Sequence, residues 1–157
     1  MLNIVLTRID DRLIHGQVMA GWVKYTQANR IIIADDGVAQ DPFMEKVLKM
    51  AAPPGIKVEV YNIEKAINIL KGDGQPGEKV IVLVKYPKAV YALLEGGVEI
   101  KELNIGGIGA GPGRKQLYRN ISLSLDEKDV LNKIVSMGVK VYIKIVPDDK
   151  KIEVKKF

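Results

Sequence analysis

The sequence predicts one α/β domain spanning 1–157, with a largely parallel, open twisted sheet and helices on both faces. Three observations predict it. Short Val/Ile-rich runs alternate with helical patterns, as βαβ units require. Runs such as Val80-Ile81-Val82-Leu83-Val84 and Ile31-Ile32-Ile33 are apolar at consecutive positions, which suits strands covered on both faces. Residues that start and stop helices punctuate the stretches between them.

The first strand is expected over Asn3 to Thr7, followed by the polar stretch Arg8 to Gln17. A helix comes next, with Val18, Met19, Trp22 and Val23 as its apolar stripe. Ile31 to Ala34 reads as the second strand. Asp35-Asp36-Gly37 then either lines a ligand site at a strand end or forms an acidic turn before a helix. Asp41 and Pro42 have the form of an N-cap and first helical residue, with Phe43, Met44, Val47 and Leu48 as one stripe and Pro53-Pro54 as the stop. Lys57 to Tyr61 is the third strand. Asn62 caps a helix whose Ile63, Ala66, Ile67 and Leu70 face inward, and Gly72 ends it. Gly72 to Gly77 reads as a surface loop. Strands are expected over Lys79 to Val84, Glu102 to Ile105 and Val139 to Val146. Ser124 and Glu127 have capping-box spacing ahead of Val130, Leu131, Ile134 and Val135, with Gly138 as the stop. Ile152 to Phe157 is expected as an edge strand.

Composition excludes several chemistries. Cysteine is absent, which removes disulfides, thiolate metal sites and a Cys nucleophile, and makes the cytoplasm the expected compartment. One histidine without cysteine leaves only carboxylates as further ligands, so no metal and no cofactor is expected. The apolar stretch before Arg8 is too short for a signal peptide, and no later run approaches a membrane span. The net charge of +5 favours an anionic partner without choosing among phosphate, nucleic acid and acidic protein.

In open α/β sheets ligands bind beyond the carboxyl ends of the strands. The segment after the first strand is the richest in chemistry: Arg8-Ile9-Asp10-Asp11-Arg12-Leu13-Ile14-His15-Gly16-Gln17. A neutral imidazole is a competent nucleophile near neutral pH, and a phosphoryl group on it needs donors. Arginine supplies planar bidentate donors, and a helix start adds unpaired N–H groups. Gly16 permits close backbone approach. Asp10 or Asp11 can fix the tautomer by bonding the other ring nitrogen. The competing reading is a solvated histidine among surface ion pairs. No Gly-x-Ser-x-Gly elbow exists to use His15 in a serine triad.

The run Arg8-Ile-Asp-Asp-Arg-Leu-Ile-His15-Gly-Gln-Val, with Trp22, closely resembles the IIB component of the mannose/fructose/sorbose family of the bacterial phosphotransferase system. The similarity extends along essentially the whole chain, through Ile32 to Asp41, Lys46 to Gly55, Asn104-Ile105-Gly106-Gly107 and Gly138 to Pro147. The resemblance implies a phosphocarrier. Its histidine accepts a phosphoryl group from a IIA protein and passes it to a sugar translocated by the membrane IIC and IID components, with which it associates peripherally. His15 takes that role by motif match, Arg8 and Arg12 match the basic flanks expected to neutralise the phosphoryl charge, and Asp10 and Asp11 match the acidic positions. Gly16 and Gln17 complete the motif.

Two further strand ends are candidates. Lys85 or Tyr86 faces His15 if the fourth strand neighbours the first across a switch point, although Pro87 also reads as an ordinary helix start. Gly106-Gly-Ile-Gly-Ala-Gly-Pro-Gly113-Arg-Lys resembles a phosphate cradle, but no register gives Gly-x-Gly-x-x-Gly and no Walker spacing is present. The expectation is a mobile loop near a partner surface, where Arg114, Lys115 and Arg119 offer donors. A basic nucleic-acid or nucleotide binding module is the alternative function; it lacks an aromatic platform, since there are two Phe and one Trp.

Overall fold

The computed structural model describes Met1–Phe157. Along the chain the elements are β1 (Ile4–Asp10), α1 (Gly16–Thr26), β2 (Arg30–Ala34), α2 (Asp36–Ala39), α3 (Pro42–Ala51), β3 (Lys57–Tyr61), α4 (Ile63–Lys71), β4 (Val80–Val84) and α5 (Pro87–Glu95). They continue with β5 (Glu102–Gly107), β6 (Lys115–Tyr118), β7 (Ile121–Leu123), α6 (Leu125–Ser136), β8 (Lys140–Ile143) and β9 (Ile152–Glu153). The main sheet has the order β3-β2-β4-β1-β5-β8-β9. Every pairing in it is parallel except that of β8 with β9.

Alternate side chains of the sheet enter two cores. Ile31, Ile33, Ile81 and Leu83 pack under α1, α2 and α3 through Met19, Trp22, Val38 and Leu48. Ile32, Val80, Val82 and Val84 pack under α4, α5 and α6 through Ala66, Leu70, Val90, Leu93, Leu131 and Ile134. All five residues of β4 are fully buried, which explains its unbroken apolar run. Each such side chain contributes about 1.5–3 kcal/mol relative to exposure.

The helix signals in the sequence are present as side-chain bonds. Asp41 accepts from the Met44 amide, Asn62 from the Lys65 amide, and Ser124 and Glu127 complete a reciprocal capping box. Asp35 caps the short helix α2 through the Val38 amide at 2.8 Å, and Asp36 accepts from the Ile63 amide at 2.8 Å. The acidic turn is therefore spent on helix ends.

Three expectations are corrected, and one pair of strands is new. In α3 only Leu48 is buried, while Phe43 is 74 % exposed and Met44 and Val47 are also open, because this helix rests one row of side chains on the end of the sheet. The strand expected to reach Val146 stops at Ile143. The carbonyls of Lys144 and Ile145 turn towards Arg8, and Asp149 takes the amides of Ile145 and Val146 at 3.1 Å. At the end of the chain only Ile152–Glu153 pairs with β8, and the Asn132 side chain holds both polar groups of the Phe157 backbone. Finally, the hairpin of β6 and β7 went unforeseen; its strands are short and mostly polar on one side.

Candidate functional site

β1 lies between β4 and β5, and the chain leaves it on one side through α1 while α5 crosses to the other. The crevice at the carboxyl end of β1 is thus a topological switch point. β1 runs to Asp10, three residues beyond the expected end, and so places Arg8 and Asp10 on the sheet itself.

A tight turn follows. The Leu13 amide donates to the Asp10 carbonyl at 2.9 Å, and Leu13 adopts φ 58. A left-handed leucine costs about 1–2 kcal/mol. Burying Leu13 and Ile14 in the core beneath α1 offsets that and pins the turn. His15 is then the N-cap of α1, in extended conformation at φ −144 and ψ 125. Its ring makes no capping bond. It points to Asp10 instead: Nε2 lies 3.0 Å from Oδ2, and 23 % of the side chain stays exposed.

Asp10 is the centre of the site. Fully buried, it accepts from Arg8 Nη2 at 3.0 Å, from Arg12 Nε at 3.0 Å and Nη2 at 3.1 Å, and from the Arg12 amide at 3.1 Å. Burial by itself opposes the charged carboxylate. The Arg12 hydrogen bonds, the Arg8 charge and the His15 hydrogen bond outweigh it and hold Asp10 below the ordinary carboxylate value. An ionised Asp10 can only accept a hydrogen bond, so its contact with Nε2 favours the tautomer protonated there, in which Nδ1 keeps the free lone pair.

Arg8 is corrected from its expected place beside a phosphoryl group. It is fully buried, with Nη1 donating to Asn104 Oδ1 at 2.6 Å and to the Lys144 carbonyl at 3.1 Å, and Nη2 donating to Asp10 and to the Ile145 carbonyl at 3.0 Å. Its guanidinium lies 5.2 Å from the centre of the Trp22 ring. Burial draws it below the usual arginine value, and Asp10 offsets part of that. No donor of Arg8 faces the solvent side of His15. Arg12 does reach that side: its side chain is 45 % exposed, and Nη1 has no partner in the protein.

The remaining candidates fall in different places. Asp11 accepts from the Gly109 amide at 2.8 Å and so ties the histidine turn to the glycine run. Gly16 adopts φ +43 with open space around its Cα, and Gln17 is exposed on the first turn of α1. Lys85 is brought not to the ring but to a groove shared with Asp35, Asp36, Ile63, Tyr86 and Lys88. Arg114 is corrected too. It grips Glu127 with Nε at 2.9 Å and Nη2 at 3.0 Å, and its Nη1 donates to the Gly109 carbonyl at 2.9 Å. The Glu127 hydrogen bond raises Arg114 above its ordinary value. This clamp holds the loop expected to be mobile, and leaves Lys115 and Arg119 as its exposed cations.

Several site residues escaped the sequence reading. A Cβ at Gly106 would collide with the Arg8 guanidinium, and one at Gly107 would come within 3.2 Å of Arg12 Nη2 and Asp10 Oδ1 and 3.1 Å of Asn120 Nδ2. These glycines make room for side chains rather than for a phosphate. Asn120, on the β6–β7 turn, donates to the Gly106 carbonyl at 3.2 Å. Asn104 is a fully buried amide between the apolar Leu103 and Ile105 of β5; that polar interruption was the available signal.

Fold and site together define a small α/β protein that presents one reachable imidazole, its Nε2 held by a buried carboxylate, beside a free guanidinium edge and a helix start. That is the class suited to carrying an anionic group. Residues 4–157 match the family described as the PTS system sorbose subfamily IIB component. The sorbose-specific EIIB component of Klebsiella pneumoniae is 39 % identical over 153 residues, covering 98 % of this chain and 93 % of that protein. The mannose-specific EIIAB component of Escherichia coli (strain K12) is 39 % identical over 152 residues, which span 96 % of this chain and 46 % of that longer protein. The crystal structure of the IIBSor domain of the Klebsiella pneumoniae sorbose permease superposes with a TM-score of 0.93, covering 98 % of this chain and 94 % of that one at 39 % identity. A crystal structure of manxB from Thermoanaerobacter tengcongensis gives 0.91 at 42 % identity, covering 98 % and 93 %. The chain belongs to the sorbose-subfamily IIB components of the phosphotransferase system, whose work is sugar phosphotransfer. This membership gives no support to the nucleic-acid alternative.

Proposed function

We propose that His15 Nδ1 accepts a phosphoryl group from a phosphohistidine of a IIA protein and delivers it to a sugar handled by membrane IIC and IID components. The observation that carries the reading is the 3.0 Å contact of Asp10 with Nε2, which occupies that nitrogen and leaves Nδ1 for the phosphoryl group on a ring that stays partly exposed. In the first step the Nδ1 lone pair forms a bond to phosphorus as the donor's N–P bond breaks, and the electron pair stays on the donor imidazole. In the second a sugar hydroxyl oxygen attacks phosphorus, the His15 N–P bond breaks, and the hydroxyl proton is released to water. The His15 ring becomes more positive as Nδ1 bonds phosphorus, so its Nε2–H bond to the Asp10 carboxylate strengthens in the transition state.

Arg12, through its free Nη1, and the first-turn amides of α1, which begins with no acidic residue, supply donors for the equatorial oxygens. Asp11 shapes the pocket by holding Gly109, and Gly16 and Gln17 border the approach. No metal or cofactor enters this scheme. No helix is long and apolar enough to cross a membrane, which suits a chain that visits its membrane partners peripherally from the cytoplasm. Exposure of the cations Arg12, Lys115 and Arg119 supports an acidic docking surface on the IIA partner.

The test is incubation with a phosphorylated IIA protein. The wild type is expected to gain one acid-labile phosphoryl group, and His15→Ala none. Uptake by His15→Ala, or none by the wild type, overturns the proposal.

A further inference from the structure

We propose that Asn104 is a positioning residue for this transfer, acting on the His15 ring through Arg8 and Asp10; the inference rests on the reading of His15 as the phosphoryl acceptor. Asn104 sits on β5 directly opposite Arg8 of β1. A buried amide is costly unless both of its polar atoms are bonded. Here they are: Oδ1 accepts from Arg8 Nη1 at 2.6 Å, and Nδ2 donates to the Lys144 carbonyl at 3.0 Å.

The consequence falls on the orientation of a charge. Four of the five Arg8 donors have acceptors, and the fifth, Nε, is buried with none. The guanidinium plane is therefore held at its outer edge, by Asn104 and the Lys144 carbonyl on Nη1 and by Asp10 and the Ile145 carbonyl on Nη2. Of these acceptors Asp10 alone is charged. Its Oδ2 is shared by Arg8, Arg12 and His15 at 3.0, 3.1 and 3.0 Å. Without Asn104, Nη1 loses its shortest bond, the plane is free to tilt, and the share of Oδ2 taken by Arg8 changes. Asp10 then turns, and Nε2 loses the acceptor that keeps its proton there. Asn104 thus helps decide which imidazole tautomer is present, without itself touching ring, phosphate or partner.

Gly106 reaches the same guanidinium from the opposite direction. A methyl group there would occupy the space of Arg8 Cζ, while its three nearest neighbours are all Arg8 atoms. Gly106→Ala removes no hydrogen-bonding group, so it displaces Arg8 alone.

The experiment compares Asn104→Ala, Gly106→Ala and Val82→Ala, the last a buried β4 truncation whose side chain enters the core under α4, α5 and α6, on the face of the sheet away from Trp22 and Arg8. Nitrogen NMR of the His15 ring across a pH titration reads the tautomer, and transfer kinetics from phosphorylated IIA read kcat and KM separately. The wild type is expected to hold its proton on Nε2. The first two variants are expected to populate both tautomers and to lose about 10- to 100-fold in kcat with KM nearly unchanged, since misplacement near the reacting atoms costs up to about 10². Val82→Ala is expected to lower the melting temperature and leave the tautomer alone. Folded Asn104→Ala and Gly106→Ala proteins with the wild-type tautomer and kcat would overturn the role; if Asn104→Ala does not fold, Gly106→Ala decides. A wild type that takes no phosphoryl group instead sinks the reading of His15, and the two failures are distinct.

Discussion

Arg8 and Asp10 stand two residues apart on the same face of β1, and their side chains meet at 3.0 Å with neither exposed to solvent. An ion pair taken out of water returns little net stability, because desolvating both charges cancels most of the attraction. This one holds a carboxylate in one orientation, ionised, under the ring of His15. The buried pair is the foundation of the site, and Arg12 is its solvent edge.

Removal of Arg12 is therefore expected to affect chemistry more than folding. Arg12→Ala should slow phosphoryl transfer by about 10²–10³, the usual cost of losing one donor to transition-state charge. Its stability should fall by about 1.5–3 kcal/mol, the scale of hydrogen bonds to a charged group, because the half-exposed Arg12 bonds a buried carboxylate that Arg8 and His15 still bond. Stopped transfer assays and denaturant melts separate the two.

Asp10→Asn should do both kinds of damage. Leaving Arg8 buried without its counter-charge costs about 3–5 kcal/mol, and an amide in place of the carboxylate no longer favours the Nε2–H tautomer. The measurements are urea unfolding and phosphoryl uptake.

Acid should reveal the same group. The folded-state pKa of Asp10 is depressed, so its stabilising contribution is complete well above the unfolded value of about 3.9 and is lost as pH falls through the lower folded value. Glu59 and Glu127 are lowered in the same sense by Arg30 and Arg114, against the opposing effect of burial. Unfolding free energy measured from pH 7 downward should stay level and then decline below about pH 4. Asp10→Asn should show a shallower decline.

The Arg114 and Glu127 clamp predicts a charge-swap result. Arg114→Glu should lose about 1.5–3 kcal/mol, the scale of hydrogen bonds to charged groups, by setting two acids together. The double variant Arg114→Glu with Glu127→Arg should recover part of it. Thermal melts of the single and double variants measure the recovery.

Exposed Lys115 and Arg119 carry a kinetic prediction. Reversing both charges should lower kcat/KM for phosphorylated IIA by about tenfold or more at low salt, and flatten its dependence on ionic strength. Transfer rates over a salt series check this.

Local pattern in the chain was enough for the architecture. Consecutive apolar residues such as Val80 to Val84 require cover on two faces, and Asp41-Pro42, Asn62 and the Ser124/Glu127 pair mark helix starts, because a cap is satisfied by amides two or three residues away. The motif around His15 was legible for the same reason: nucleophile, carboxylate and guanidinium lie within eight residues. The fate of each cation was not. Arg8 and Arg12 look alike in the chain, yet Arg8 is drawn inward by Asn104 and the Lys144 and Ile145 carbonyls, which lie 96, 136 and 137 residues further along. Arg114 is likewise claimed by Glu127 on α6. Whether a guanidinium meets solvent or a buried acceptor depends on which distant segments share its space. Sheet order and close packing set that choice, and no short stretch of sequence contains it.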